Sequence, residues 1–473
     1  MPITRLRILI PSSKWMGLIL FLTCLGVGML LYKDYGISSD EAVERNNGII
    51  TLRYIGDRLG LRFILNDPII QNHTYLPKLQ EYFDRDYPVA FNLPAVALER
   101  LLGIGNDGDE RKIYLFRHLL TFLVNLVGIV AIYQLAKRRF NDWRTGLLAA
   151  IFLILSPRFF AEQFYNSKDI VFMSFFALST YTAISFVLKP TWKNALWHGL
   201  TTAIAIDVRI MALVIPVMTI LVLGLRIARG EIPWRKTLAL TILYLSLAMV
   251  VVVICWPWLW ADPWGRFIEA FQKMSKFSRG PQDLLYWGQV LKTNNLPWHY
   301  IPVWIAITTP LLYLTLFFVG AGATLKTIIQ RRWRLWNGEQ ELQDLIFLGL
   351  LIAPILAVII LNSTLYDGWR QMYFVYPAFL LLSVKGWVLI KNHHYSKPIL
   401  QKWVKRMLAT ILFISFAWIT TWMIKAHPLQ NVYFNALAGK DWKSKFDVDY
   451  WGLSNRKALE YILSQDNPAY INV

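Results

Sequence analysis

Two short stretches of the chain set ionisable side chains where a helix would begin. Ser38-Ser39-Asp40-Glu41 follows an apolar run that ends near Tyr32, and the turn from Arg158 to Asp169 crowds Arg158, Glu162, Lys168 and Asp169 between two apolar runs. Isolated arginines stand at other run ends: Arg209 in Ile206-Asp207-Val208-Arg209, and Arg370 in Asp367-Gly368-Trp369-Arg370-Gln371-Met372-Tyr373. A carboxylate can take a proton from a hydroxyl, a second carboxylate can orient a reactant, and guanidinium groups grip phosphate through two parallel hydrogen bonds. Together these suit displacement at a carbon bound to phosphate. The phosphate already leaves as a stabilised anion, so the chemistry needs a base and cations but no protonating acid. A glycoside hydrolase instead needs two carboxyl groups flanking the bond.

Plainer explanations compete for the same residues. Ser38-x-x-Glu41 is a capping box, and first-turn acids favour the helix dipole. That accounts for Glu41; it leaves open why Asp40 stands at this position. Asp169 also opens a helix, but four ionisable groups in one short turn at membrane depth need partners or a purpose. Arg209 could be neutralised locally by Asp207, and Arg370 by Asp367. Arg85-Asp86-Tyr87-Pro88 reads first as solvated surface.

The elements that must position these groups follow from composition. Of 473 residues 56% are hydrophobic and 17% charged, and the mean hydropathy is +0.40, which excludes an ordinary water-soluble globule. Apolar runs of roughly the length that spans a ~30 Å hydrocarbon core recur from end to end. The chain is therefore expected to be an all-α polytopic membrane protein, since a barrel would show short alternating strands. Eleven spans are expected: 16–32, 114–136, 145–157, 169–188, 194–207, 210–228, 237–256, 301–323, 345–362, 372–390 and 407–424. Net charge +19 and a pI of 9.7 do not indicate nucleic acid, because the basic residues fall in clusters between apolar runs. Lys137-Arg138-Arg139, Lys189/Lys193, Arg226/Arg229/Arg235 and Arg331-Arg332 recur at alternate junctions, so the N-terminus is expected to be cytoplasmic and the C-terminus exoplasmic. The first run lacks a small-residue cleavage site and reads as a retained anchor.

This arrangement divides the chain into a membrane domain, 1–424, and an exoplasmic segment, 425–473. Loops 33–113, 157–168 and 257–300 share the exoplasmic side. The first loop carries an amphipathic helix from about Ala42 to Leu59, expected to lie along the membrane surface, and a second helix from Phe91 to Leu102. Trp256, Trp258, Trp260, Trp264, Trp287 and Trp298 suggest that 257–300 docks at the headgroup boundary. Ser454 is expected to cap a helix to about Ser464, and Tyr470-Ile471-Asn472-Val473 reads like the opening of a strand. Cys24 and Cys255 lie within apolar runs and carry neither metal spacing nor a disulfide framework. There is no phosphate-binding glycine loop and no repeat of fixed period.

Base, orienting acid and arginines at one membrane face suit transfer of a sugar from a lipid phosphate. The chain resembles the C-type membrane glycosyltransferases, particularly the protein O-mannosyltransferase and lipid A aminoarabinose transferase group. The resemblance rests on Ser39-Asp40-Glu41 after the first span, Asn166-Ser167-Lys168-Asp169, Arg209, and Trp369-Arg370-Gln371-Met372-Tyr373-Phe374-Val375-Tyr376-Pro377. It covers roughly residues 15–390. His427-Pro428-Leu429-Gln430-Asn431-Val432-Tyr433-Phe434-Asn435 and Asp449-Tyr450-Trp451-Gly452 are similar to segments of bacterial members. The resemblance implies Asp40 as catalytic base and Asp169 as a second acid shaping the site. It matches Arg209 and Arg370 to cations near a donor phosphate, and sets Arg85 near a loop that contacts the lipid carrier. Where the family often has His or Lys followed by Pro-Pro, this chain has Arg85-Asp86-Tyr87-Pro88. The large sugar-binding-like insertion of the eukaryotic enzymes is absent from 257–300, which argues against their protein-acceptor mode.

The expected activity is an inverting, polyprenyl-phosphate-sugar-dependent glycosyltransfer in a bacterial plasma membrane, with the site on its outer side. Asp40 and Asp169 are the expected catalytic residues. Glu41, Arg85, Glu162, Lys168, Arg209, Arg370 and Tyr373 are the expected binding residues. The acceptor is a protein, lipid or glycan. No cofactor is firmly implied, although carboxylates at 40, 41, 162 and 169 are of the type that ligates a divalent metal. The rivals are a transporter or lipid flippase, which would want ionisable groups near the bilayer midplane, and a non-catalytic scaffold of the same fold.

Overall fold

The computed structural model describes residues 13–275, 282–394 and 396–465. In chain order the helices are α1 (Ser13–Leu31), α2 (Glu41–Leu59), the short α3 (Arg62–Leu65) and α4 (Pro68–Asn72), α5 (Asn92–Leu101) and α6 (Glu110–Phe140). They continue with α7 (Trp143–Ile154), α8 (Pro157–Tyr165), α9 (Asp169–Leu188), α10 (Trp192–Ile206), α11 (Val214–Ala228), α12 (Trp234–Cys255) and α13 (Pro263–Ser275). A hairpin, β1 (Asp283–Tyr286) and β2 (Gln289–Lys292), precedes α14 (Tyr300–Thr308), α15 (Leu311–Arg331), α16 (Gly338–Ile360), α17 (Tyr376–Asn392), α18 (Pro398–Ala426) and α19 (Ser454–Gln465). The expected terminal strand at 470–473 lies outside the described residues.

Among the described residues eight helices are long and apolar enough to cross a membrane, or nine when α7 and α8, bent by 71°, are taken as one span. The expected run 16–32 is helical as the 19-residue α1, and 194–207 is helical as α10, which at 15 residues is shorter than the spans. At 1.5 Å per residue the 15 residues of α10 reach only about three quarters of a ~30 Å hydrocarbon core. Prolines account for the two breaks. Pro157 forces Ser156 into an extended conformation and separates α7 from α8. Pro310 does the same to Thr309, so the expected span 301–323 is two helices, α14 and α15.

The bundle is tightest between α15 and α17. A Cβ on Gly320 would lie 1.9 Å from the Leu382 carbonyl oxygen, and one on Gly386 would lie 2.0 Å from that of Leu316, so only glycine permits this approach. α2 does not present one apolar face to a surface. It buries Glu41, Glu44 and Arg45 as well as Ile49 and Ile50, because α5 and α6 supply Glu99, Asn92 and His118 as polar partners. Of the six tryptophans in 257–300 and just before it, Trp256 and Trp258 are buried, while Trp264, Trp287 and Trp298 are exposed. The hairpin was not foreseen. It turns at Trp287-Gly288, both with positive φ, as a two-residue hairpin turn requires.

The described part of 425–473 packs over the same end of the bundle as α2 and the hairpin. Gly288 donates to the Lys445 carbonyl at 3.0 Å, Asn435 donates to the Ala306 and Thr309 carbonyls at 2.6 Å each, and Ser39 donates to the Trp451 carbonyl at 3.2 Å.

Candidate active site

The start of α2 separates two acids that are adjacent in sequence. Glu41 folds back on the helix start, accepting from the Ser38 backbone N–H at 2.7 Å and meeting His118 Nε2 at 3.0 Å. Only this half of the capping box forms, because the Ser38 hydroxyl goes to the Tyr165 carbonyl at 3.4 Å. Asp40 occupies the N-cap position but makes no capping bond with its side chain. Its carboxylate reaches instead to Arg370, with Nη1 donating to Oδ2 at 2.8 Å.

Asp169 opens α9 in the same region. Asn166 Oδ1 accepts from the Asp169 N–H at 2.8 Å and so holds the helix start. The Asp169 carboxylate lies between two guanidinium groups: Oδ1 accepts from Arg209, and Oδ2 lies 3.4 Å from Arg370 Nη1. The local pairing of Arg209 with Asp207 does not occur. The chain becomes extended at Arg209 and carries it to α9, while both Asp207 carboxylate oxygens are buried without a hydrogen-bond partner in the structure. Lys168 pairs with Glu44 at 2.6 Å and lies over the Tyr87 ring at 3.8 Å.

Arg370 sits where a 3₁₀ turn, Arg370–Val375, leads into α17. Its Nη2 meets Asp367 Oδ2 at 3.0 Å, and its plane lies over Trp451 at 4.5 Å and Tyr366 at 4.9 Å. The expected pair with Asp367 is therefore present, but as one of three. Asp367 has φ +57 and Gly368 φ +71, a left-handed corner that returns the Asp367 carboxylate toward Arg370. Burial pushes Asp367 up to about 6, with the Arg370 charge working against it. Burial acts on Asp40 in the same sense, but Arg370, Lys168 and Arg209 outweigh it and hold Asp40 below the usual carboxylate range.

These side chains line one end of a 620 Å³ cavity. Asp40, Glu44, Asp84, Lys168, Arg209, Asp367 and Arg370 are its charged lining residues. Apolar walls come from Ile210, Met211 and Val214 on the α11 side and from Pro354, Ala357 and Leu361 on the α16 side, with Gln282, Thr293, Ser363 and Thr364 also in the lining. A second cavity of 700 Å³ lies beyond the Ser38-Ser39 backbone, lined by Tyr114, His118, Trp451 and Arg456 among others.

Of the residues singled out from sequence, Asp40, Lys168, Arg209 and Arg370 line the first cavity, and Asp169 is buried behind its two arginines. Glu162 and Tyr373 are buried further back; Tyr373 donates to Glu162 at 2.7 Å, and Tyr450 to the same oxygen at 3.3 Å. Glu41 is turned away toward His118, and Arg85 stands apart, 3.4 Å from Glu269 and over Trp258. Glu44 and Tyr87 were missed, and Asp367 and Trp451 were not recognised as part of the site. Glu44 was legible in principle, one helical turn after Asp40. Trp451 joins only through the tertiary fold. Among the described residues no group of three or more His, Cys, Asp or Glu side chains converges to hold a metal ion.

Residues 104–260, about a third of the chain, match the family model described as dolichyl-phosphate-mannose-protein mannosyltransferase. Among solved structures the chain resembles ArnT from Cupriavidus metallidurans bound to undecaprenyl phosphate, at TM-score 0.52 and 14% identity, covering 89% of this chain and 74% of that one. It resembles the same protein in the apo state at TM-score 0.50 and 16% identity, covering 81% of this chain and 61% of that one. The chain thus spans less than two thirds of the length of the apo ArnT chain. No curated protein matches in sequence.

Proposed function

We propose that this chain, which has the fold of the C-type membrane glycosyltransferases, moves a sugar from a polyprenyl-phosphate carrier to an acceptor hydroxyl with inversion at the anomeric carbon. The observation that carries the reading is the two-sided character of the 620 Å³ cavity. Three cations line it, Lys168, Arg209 and Arg370, and so do apolar side chains from the α11 and α16 sides. A lipid phosphate has the matching halves, a charged head and a long hydrocarbon tail.

In this reading Asp40 accepts the proton of the acceptor hydroxyl as its oxygen bonds to the anomeric carbon. The bond from that carbon to the phosphate oxygen breaks in the same step, and its electron pair leaves with the lipid phosphate. One in-line displacement inverts the centre. Arg370, Arg209 and Lys168 stabilise the charge that grows on the departing phosphate. Asp169 orients Arg209 and Arg370, and Glu162 lies behind them, bound by Tyr373 and Asn166. The second cavity is lined by Ser38 and Ser39, which precede Asp40 in the chain, and suits the acceptor's approach. Arg138, Arg139, Lys189, Arg226 and Arg331 stand at helix ends away from the site, which under the positive-inside rule supports an exoplasmic site, periplasmic if the membrane is a bacterial plasma membrane.

A transporter would need ionisable groups along a path through the bilayer. His198, deep in α10, is instead sealed by Thr182, Thr202 and Thr219 and stacked on Tyr244 at 4.3 Å. The test is transfer without a gradient. Detergent-solubilised protein supplied with polyprenyl-phosphate-linked sugars is expected to yield free polyprenyl phosphate and a glycosylated acceptor, and mass spectrometry of the co-purified lipid is expected to find the carrier. Binding of the carrier with no transfer to any acceptor class overturns the reading.

A further inference from the structure

Each cation at the charged end of the cavity has a carboxylate partner. Lys168 is held by Glu44 at 2.6 Å, Arg209 by Asp169, and Arg370 by Asp40 at 2.8 Å, Asp367 at 3.0 Å and Asp169 at 3.4 Å. Three cations face four carboxylates. A phosphate entering this end competes with a carboxylate for each of these cations.

The carboxylates do not release their partners equally. Glu44 is buried and accepts a further hydrogen bond from Asn92. Asp169 is buried and held by Asn166, Arg209 and Arg370. Asp367 is the acceptor on Arg370 Nη2, so its departure would leave that nitrogen without an ion pair. Asp40 differs from Glu44 and Asp169 in exposure and in number of partners, and from Asp367, itself 32% exposed, in sharing its guanidinium nitrogen with a second carboxylate. Its side chain is 38% exposed, its carboxylate hydrogen bonds go, among the described residues, to Arg370 alone, and the Nη1 that holds it is shared with Asp169. Releasing Asp40 leaves both terminal nitrogens of Arg370, Nη1 and Nη2, still held.

We propose that the donor phosphate draws Arg370 off Asp40, so that Arg370 masks the base until the donor is seated. The proposal rests on the glycosyltransferase reading above and adds an order to it. The donor binds first, and the acceptor meets a free carboxylate only afterwards. Asp367 and Asp169 keep the guanidinium in place through the exchange, with its face on Trp451.

The test measures undecaprenyl phosphate binding to the full chain in nanodiscs, with no acceptor present. If Asp40 competes with the phosphate for Arg370, Asp40→Asn binds the lipid about tenfold more tightly than wild type, the scale of one charge-assisted hydrogen bond no longer contested. In an Arg370→Ala background the advantage of Asp40→Asn disappears. Arg370→Lys, which keeps a cation but cannot hold three carboxylates, replaces it if the alanine variant does not fold. Equal or weaker binding by Asp40→Asn overturns the latch. An advantage that survives without Arg370 is simple charge repulsion and overturns it too. A wild-type protein that binds no polyprenyl phosphate overturns the underlying reading instead.

Discussion

Asp40 and Arg370, 330 positions apart in sequence, meet at 2.8 Å at the charged end of the cavity. The contact joins the N-cap of α2 to the turn that begins α17, and every other charged group of the site is arranged around it. The base in the proposed reaction and the cation for its leaving group are thus direct neighbours.

Asp40→Asn is expected to fold normally, because a half-exposed side chain with one ion-pair partner contributes little to stability. Loss of a general base lowers rate by ~10²–10⁴. Sugar transfer by the purified variant is therefore expected to fall by that factor while its unfolding temperature stays close to wild type. Near-wild-type turnover removes Asp40 from the chemistry.

Asp367 gives the pH dependence of stability a definite sign. Its folded-state value is raised from 3.8 to about 6, so the folded protein holds this proton more tightly than the unfolded chain. The stability it contributes is present below its ordinary value and is lost as pH rises through about 6. Asp40, held low, acts in the opposite direction and loses its contribution as pH falls. Asp367→Asn keeps a side chain that tolerates the left-handed corner. Its unfolding temperature relative to wild type should rise from about pH 4 to about pH 6 and then level off; a flat difference would show that burial of this charge is inconsequential.

Gly386→Ala should loosen the bundle without touching the site. The new methyl would press on the Leu316 carbonyl, which is backbone and cannot rotate aside. Overpacking of this kind costs about 1–3 kcal/mol or more. The expected readout is a lower unfolding temperature in detergent, and an unchanged one would mean that α15 and α17 sit further apart than described.

At the opposite end Asp344 is buried between Arg139, bound through both nitrogens at 2.5 and 2.6 Å, and Lys385 at 2.7 Å. Asp344→Leu leaves two cations buried without their carboxylate, a change expected to destabilise by about 3–5 kcal/mol. Lipid binding by the fraction that remains folded should be unaltered, since the ion triad shares no residue with the cavity. Loss of binding in folded protein would reveal coupling between the two ends.

The sequence by itself determined that the chain is helical and membrane-embedded, because hydropathy over the length of a bilayer is a local property that needs no tertiary contact to be read. It also singled out Asp40, Asp169, Arg209 and Arg370, because ionisable groups beside apolar runs stand out against a costly background. Span lengths were less legible, since a local proline, at 157 or 310, outweighs the apolar average of the window around it. Pairing was decided only by the fold. Arg209 left its neighbour Asp207 for Asp169, Glu41 turned to His118, and Trp451 came from the far end of the chain to lie under Arg370. Ion pairs and cavity walls form between groups that are near in space, and at this site the groups near in space come from α2, α9, the turns before α11 and α17, and the C-terminal segment.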